Sequence, residues 1–261
     1  TPITNPTSTV LFKAICAAKT RNAILFRAHP VAAGCARKVV EILSAAGEAA
    51  GMPPGAIQLV PQPENAVTHY LFKHPGVDFL WTTGGPRIVQ LTNEAGKPCL
   101  SVGPGNAPCY VHRSADTKGV VVDVLISKTF DASVICPAEQ TIIIDDPVYD
   151  EVLAEFLRMG AYLLDEDEAT RLAVFAFGDD DKVNLNALGQ TAPELARRAG
   201  LDVPASTKVL LAELPSDLEA LEAHTLRQEK LMPVLGIVRS PSVEHAVAAA
   251  RGLKDGSLTE N

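Results

Sequence analysis

Cys136 is the residue with the most chemistry to offer. It lies in Phe130-Asp131-Ala132-Ser133-Val134-Ile135-Cys136-Pro137-Ala138-Glu139-Gln140, after a helical run and just before a β-rich one. Such a junction can expose a thiol at a domain edge. A thiolate there could attack a carbonyl carbon, provided backbone amides or a nearby positive charge favour ionisation. Residue type alone leaves a second reading open, a buried structural thiol, because free cysteine is among the most buried residues.

Two other segments carry donors suited to a site. Asn5 precedes Pro6, a good N-cap followed by proline at the first helical position. Its amide holds an acceptor and two donors, so the carbonyl could cap the helix while the NH2 points at a substrate oxygen. The turn Thr82-Thr83-Gly84-Gly85-Pro86 follows a β-rich run and opens a helix. Backbone N–H groups there could meet a phosphate, although tight strand–helix packing explains the glycines equally well. No GxGxxG fingerprint occurs in the chain.

The remaining candidates carry less. Cys16 and Cys35 sit in helical runs and are expected to pack; Cys99 and Cys109 sit in strand-like runs. His69, His74, His112, His224 and His245 have no metal-ligand spacing, and no metal is expected. Asp179-Asp180-Asp181 reads as a solvated turn.

These residues must be positioned by an alternation of β-rich and helical runs, the pattern of an α/β fold with largely parallel sheets. Helices are expected at 6–19, 31–50, 64–73, 86–95, 114–128, 147–164, 216–228 and 242–253. Strands are expected at 23–26, 57–60, 77–81, 98–102, 107–112, 141–144, 208–212 and 233–238, with a less regular stretch after 164. The Gly/Pro turn at 103–106 suggests a boundary near residue 105. At 261 residues, 47% hydrophobic and 21% charged, the chain has the composition of a soluble enzyme. A net charge of −8, without a Lys/Arg stripe, argues against nucleic-acid binding. No apolar run reaches membrane-spanning length, and five unpaired-looking cysteines fit a reduced, cytoplasmic setting.

Five segments, in order, resemble the CoA-acylating aldehyde dehydrogenases. They are TPITNPTST with KTRNA (1–9 and 19–23), TTGGP (82–86), SVGPGN (101–106), FDASVICPAEQ (130–140) and EKLMPV (229–234). The resemblance is greatest to the aldehyde dehydrogenase half of bifunctional aldehyde–alcohol dehydrogenases. It implies an aldehyde dehydrogenase-like fold of two Rossmann-like α/β domains, with further chain expected at both ends. Residues 1–105 would bind NAD and 106–261 would carry the nucleophile, with the active site between them.

By the same resemblance, Cys136 attacks the aldehyde while Asn5 and the Cys136 N–H stabilise the oxyanion. Thr4, His29, Pro30, Gly84, Gly85, Gly103 and Glu229 would contact NAD, Glu229 through the nicotinamide ribose. Coenzyme A would collect the acyl group of a short-chain aldehyde, or deliver it in reverse. Hydrolytic members carry a general-base glutamate near residue 101; SVGPGN has no carboxylate, which favours a thiol over water as acceptor. Homo-oligomerisation and fusion to an iron-dependent alcohol dehydrogenase domain are further expectations. A hydrolytic or acyl-phosphate enzyme of the same fold, or a catalytically incomplete fragment, are the alternatives.

Overall fold

A computed structural model describes residues 1–61, 64–178 and 182–254, and it divides into two compact units, Thr1–Pro104 and Gly105–Asn261. The Asp179–Asp181 run lies outside the described residues.

The first unit alternates helix and strand: α1 (Pro6–Lys19), β1 (Ile24–Phe26), α2 (Ala33–Ala49), β2 (Ile57–Leu59), α3 (Asn65–Lys73), β3 (Leu80–Thr83), α4 (Pro86–Asn93) and β4 (Cys99–Val102). β1 pairs with β2 and β3 with β4, both in parallel. Val10, Ala14, Phe26, Ala36 and Ile57 form the core between α1, α2 and the first strand pair. Lys13 is buried against the other pair, its ammonium donating to the Trp81 carbonyl (3.1 Å) and Thr83 Oγ1 (2.9 Å). β3 starts at Leu80, not at Val77 as the apolar run suggests. The Val77 amide is drawn instead into a turn with the His74 carbonyl (3.0 Å), while the Val77 carbonyl takes Lys97 Nζ (2.6 Å).

The second unit holds β5 (Ala107–Val111), α5 (Thr117–Thr129), β6 (Glu139–Asp145), α6 (Tyr149–Arg158), β7 (Ala161–Leu163), α7 (Glu166–Phe177), α8 (Ala192–Arg198), β8 (Val209–Glu213), α9 (Leu218–Ala223), β9 (Val234–Ser240) and α10 (Val243–Lys254). Its five strands are all parallel, in the order β5-β6-β9-β8-β7. Strand alternation sends successive side chains to opposite faces. Ile142 and Ile144 pack with Val121, Val124 and Phe156 from α5 and α6, while Ile143 packs with Leu172, Leu195 and Leu253 from α7, α8 and α10. A sheet buried on both faces needs the apolar runs that β6, β8 and β9 possess.

Three expectations in this unit are corrected. The helix expected over 147–164 is α6 followed by β7, which pairs with β8. Gly160, at φ +100°, ends the helix, and an apolar run as short as Ala161–Leu164 suits either periodicity. The less regular stretch holds two helices, α7 behind a reciprocal Asp165/Glu168 capping box and α8 behind Thr191. The helix expected over 216–228 shortens to α9 and a single 3-10 turn at Thr225–Arg227, where His224 Nδ1 accepts from the Leu226 N–H.

Candidate active site

Parallel neighbours β5, β6 and β9 begin at the same edge of the sheet, so the segments leading into them converge there. Those segments carry Gly105-Asn106, Cys136 and Glu229-Lys230. α5 runs back towards that edge and delivers Lys128 at its last turn. Residues far apart in sequence thus meet through topology alone.

The chain enters the site through a left-handed turn. Asp131, Ala132 and Ser133 have φ of 49°, 50° and 62°, and Leu231, beside Glu229, has φ 53°. Arg21 is the only other non-glycine residue with positive φ among those described. Each such residue costs about 1–2 kcal/mol, so four of five lying beside one thiol mark a segment held in place by its surroundings.

Cys136 is half-buried next to Glu229. Burial, then the Glu229 charge, pushes its thiol up, against the opposing pull of its own backbone N–H. Burial likewise pushes Glu229 up to about 7, although the Gly105 amide, the Cys136 thiol, Lys128 and Lys230 favour its anion. The protein alone therefore keeps Cys136 largely as a thiol near neutrality, the backbone N–H that favours ionisation being outweighed by burial and Glu229. Glu229 is also no surface carboxylate: its Oε1 is buried without a hydrogen-bond partner in the protein. A carboxylate does stand beside the nucleophile, supplied from residue 229 where SVGPGN has none. The lack of a carboxylate near residue 101 therefore does not leave the nucleophile without a carboxylate neighbour.

Four polar residues that the sequence reading passed over lie in this arrangement, and three of them hold it by hydrogen bonds. Gln140 Oε1 accepts from the Lys230 N–H (3.0 Å) and its Nε2 donates to the Ala138 carbonyl (3.1 Å). Lys230, fully buried, donates from Nζ to the Gln140 and Gln228 carbonyls (2.9 and 3.1 Å). Lys128 is fully buried too, and its amine has no hydrogen-bond partner among the described residues. Asn106 Nδ2 donates to the Arg227 and Leu253 carbonyls (2.7 and 2.8 Å), pinning the lead-in to β5. Gln140→Ala should leave the buried Lys230 N–H unsatisfied and cost roughly 2–3 kcal/mol. Urea unfolding checks this; a loss below about 0.5 kcal/mol, the size of an ordinary surface effect, contradicts it.

In the first unit, Asn5 does not cap α1 with its side chain; its Oδ1 accepts from Thr4 Oγ1 (2.9 Å). The amide NH2 donates to none of the described residues, so the expected cap is absent while the donor end stays free. His29 lies beyond the end of β1, its Nδ1 accepting from the Val31 N–H (3.3 Å), with Pro30 opening a short turn. Burial, then Arg27, lowers the His29 pKa. Gly84 is glycine for packing reasons: a Cβ there would meet Ile88 Cγ2 at 2.6 Å. A Cβ on Gly85, the N-cap of α4, would meet nothing within 4 Å. Gly103 is buried.

Among the other cysteines, Cys35 and Cys99 are exposed, so Cys35 does not pack as expected. It lies on the outer face of α2, whose inner face presents Ala36 and Val40. Among the described residues, no three His, Cys, Asp or Glu side chains group as for a metal, and no helix is long and apolar enough to cross a membrane.

A parallel α/β fold with a cysteine set between a strained turn and a half-buried glutamate defines the class. The chain belongs to the aldehyde dehydrogenase family, whose model matches residues 1–168. It is 38% identical over 259 residues to an aldehyde-alcohol dehydrogenase of Streptococcus pneumoniae, covering 96% of this chain and 29% of that protein. Its fold matches a crystal structure of an acetylating aldehyde dehydrogenase from Geobacillus thermoglucosidasius at a TM-score of 0.92 and 38% identity, covering 98% of this chain and 56% of the other. A Rhodopseudomonas palustris propionaldehyde dehydrogenase with bound CoA and an acylated cysteine matches at 0.89 and 27%, covering 98% and 57%. The chain thus spans about a third to a little over half the length of these relatives.

Proposed function

We propose that the protein is a CoA-acylating aldehyde dehydrogenase, interconverting a short-chain aldehyde, CoA and NAD⁺ with acyl-CoA and NADH. The observation that carries this reading is the convergence of Cys136 and Glu229 at the leading edge of β5, β6 and β9. The relatives named as acetylating enzymes, and the one with an acylated cysteine and bound CoA, support it. Residues 1–105 form the NAD-binding part of this reading and 106–261 the part that carries the nucleophile.

The residues fit NAD. Glu229 Oε1, an unpartnered buried acceptor, suits the hydroxyls of the nicotinamide ribose. Gly85, open at the N-terminus of α4, leaves room for a phosphate, with Thr4, His29, Pro30, Gly84 and Gly103 as further contacts. NAD, when bound, supplies the acceptor for the hydride that leaves the aldehyde carbon.

The chain does the rest. The Cys136 thiol loses its proton to solvent, its sulfur forms a bond to the aldehyde carbon, and the carbonyl electron pair moves to oxygen. The Cys136 N–H and the Asn5 NH2 donate to that oxygen, Thr4 fixing the amide so that its donor end is free. Loss of hydride leaves a thioester on Cys136. The CoA thiolate then attacks the acyl carbon and expels the Cys136 thiolate.

One observation favours a second reading, hydrolysis to the acid: a carboxylate held at about 7 beside the thioester could serve as general base for water. Aldehyde and NAD⁺, assayed with and without CoA, separate the two. NADH formation that requires CoA and yields acyl-CoA is expected. CoA-independent acid production contradicts the acylating reading. A cytoplasmic homo-oligomer, possible fusion to an iron-dependent alcohol dehydrogenase domain included, completes the proposal.

A further inference from the structure

Lys128 is a charged group at this site that the reaction does not use. Its side chain is fully buried at the last turn of α5, and its amine, with three donors, meets no acceptor at hydrogen-bond distance. A lysine seldom goes so deep without a pairing group. Its neighbour Lys230 shows what a structural lysine looks like here, with its ammonium shared between two carbonyls.

The charged groups that bear on Lys128 are Glu139 at the start of β6 and Glu229 on the lead-in to β9. Lys230, whose pKa burial drives well below the usual lysine value, also lies within the influence of Lys128, and Cys109 on β5 feels the Glu139 charge. Glu139 Oε2 and Glu229 Oε1 are themselves buried without partners. Lys128 is thus a buried, unpartnered amine in one cluster with two carboxylates that each keep an unpartnered oxygen among the described residues. Glu229 in turn bears on Cys136.

We propose that Lys128 is a positioning residue that governs the ionisation of Glu229 and, through Glu229, the acidity of the Cys136 thiol. This rests on the reading of Cys136 as the nucleophile. Burial brings Lys128 down to about 7 and Glu229 up to about 7, so one proton can sit on either at the same pH. With the proton on Lys128, Glu229 is an anion and Cys136 is harder to ionise. With the proton on Glu229, that repulsion is gone.

The test is the rate of Cys136 alkylation by iodoacetamide against pH, read on the Cys136 peptide by mass spectrometry. It compares the unaltered protein with Lys128→Met, Glu229→Gln and the double variant, each checked for a cooperative thermal melt. A shoulder near pH 7 is expected in the unaltered protein, where Glu229 titrates. Lys128→Met should move it upward by about one pH unit, because an opposite charge nearby is worth that much or more. Glu229→Gln should abolish it, and Lys128→Met should then add nothing. Should the Met variant not fold, Lys128→Gln is read in the same way. A profile unmoved by loss of the amine, or moved equally in the Glu229→Gln background, overturns the role of Lys128 and leaves the nucleophile reading intact. A Cys136 that stays unreactive across the whole range overturns both.

Discussion

Cys136→Ala should abolish CoA-dependent aldehyde oxidation, with a fall of at least about 10⁴-fold in turnover, the scale seen when a covalent nucleophile is removed. Cys109 lies in β5, where burial and then Glu139 raise its thiol, and Cys16, Cys35 and Cys99 lie on elements of the first unit. Stability should change little, because Cys136 is only half-buried. Turnover is followed as NADH formation beside a thermal melt. Residual activity within tenfold of the original, in a variant that melts normally, contradicts the nucleophile assignment.

Glu229→Gln should act in opposite directions on two measurements. Turnover should fall about 10²-fold if Glu229 positions the nicotinamide ribose, the usual consequence of a misplaced reactant. Alkylation of Cys136 should accelerate, because the amide removes a charge that raises the thiol. The sign fixes the pH window. Glu229 ionises at about 7, so the charge is present above that pH and absent well below it. The acceleration should therefore be several-fold at pH 8 and vanish by about pH 6, each tenfold corresponding to one pH unit of thiol ionisation. Equal acceleration at both values would mean that the substitution has loosened the segment rather than removed a charge.

These two residues also show how far the sequence reaches. Cys136 offers a local pattern, a cysteine followed by proline after a helical run and before a β-rich one, but that pattern alone reads as a buried structural thiol and only the ordered series of resembling segments singles it out. Glu229 could be named only through the resemblance, since nothing local distinguishes it from a solvated carboxylate at a helix end. Its burial comes from three parallel strands starting side by side, which no window of sequence contains. Lys128 and Lys230 were hidden for a related reason: lysine at the end of a helical run reads as a favourable partner for the helix dipole at the surface. Here the chain buries both.

The fold was legible where signals are long or punctuated. Asn5-Pro6 marks the start of α1, and the Ile-rich run Thr141–Ile144 marks the centre of β6. The failure at 147–164 came from a three-residue strand behind a glycine, too short for its period to declare itself. The missed α7 had left a usable sign, since Asp165 and Glu168 form a capping box with the spacing that announces a helix start. Ala132 and Ser133 in left-handed conformation could not be anticipated, because neither residue favours it; the surrounding structure imposes it.

The account turns on an acyl group resting on one sulfur. Incubating the protein with acetyl-CoA, without NADH, and mapping acetylated peptides by mass spectrometry reads that directly. A single acetyl group on Cys136, removed again by added CoA and absent from Cys136→Ala, is the predicted result. Acetylation confined to another cysteine, or none on Cys136 in folded protein that binds CoA, contradicts it.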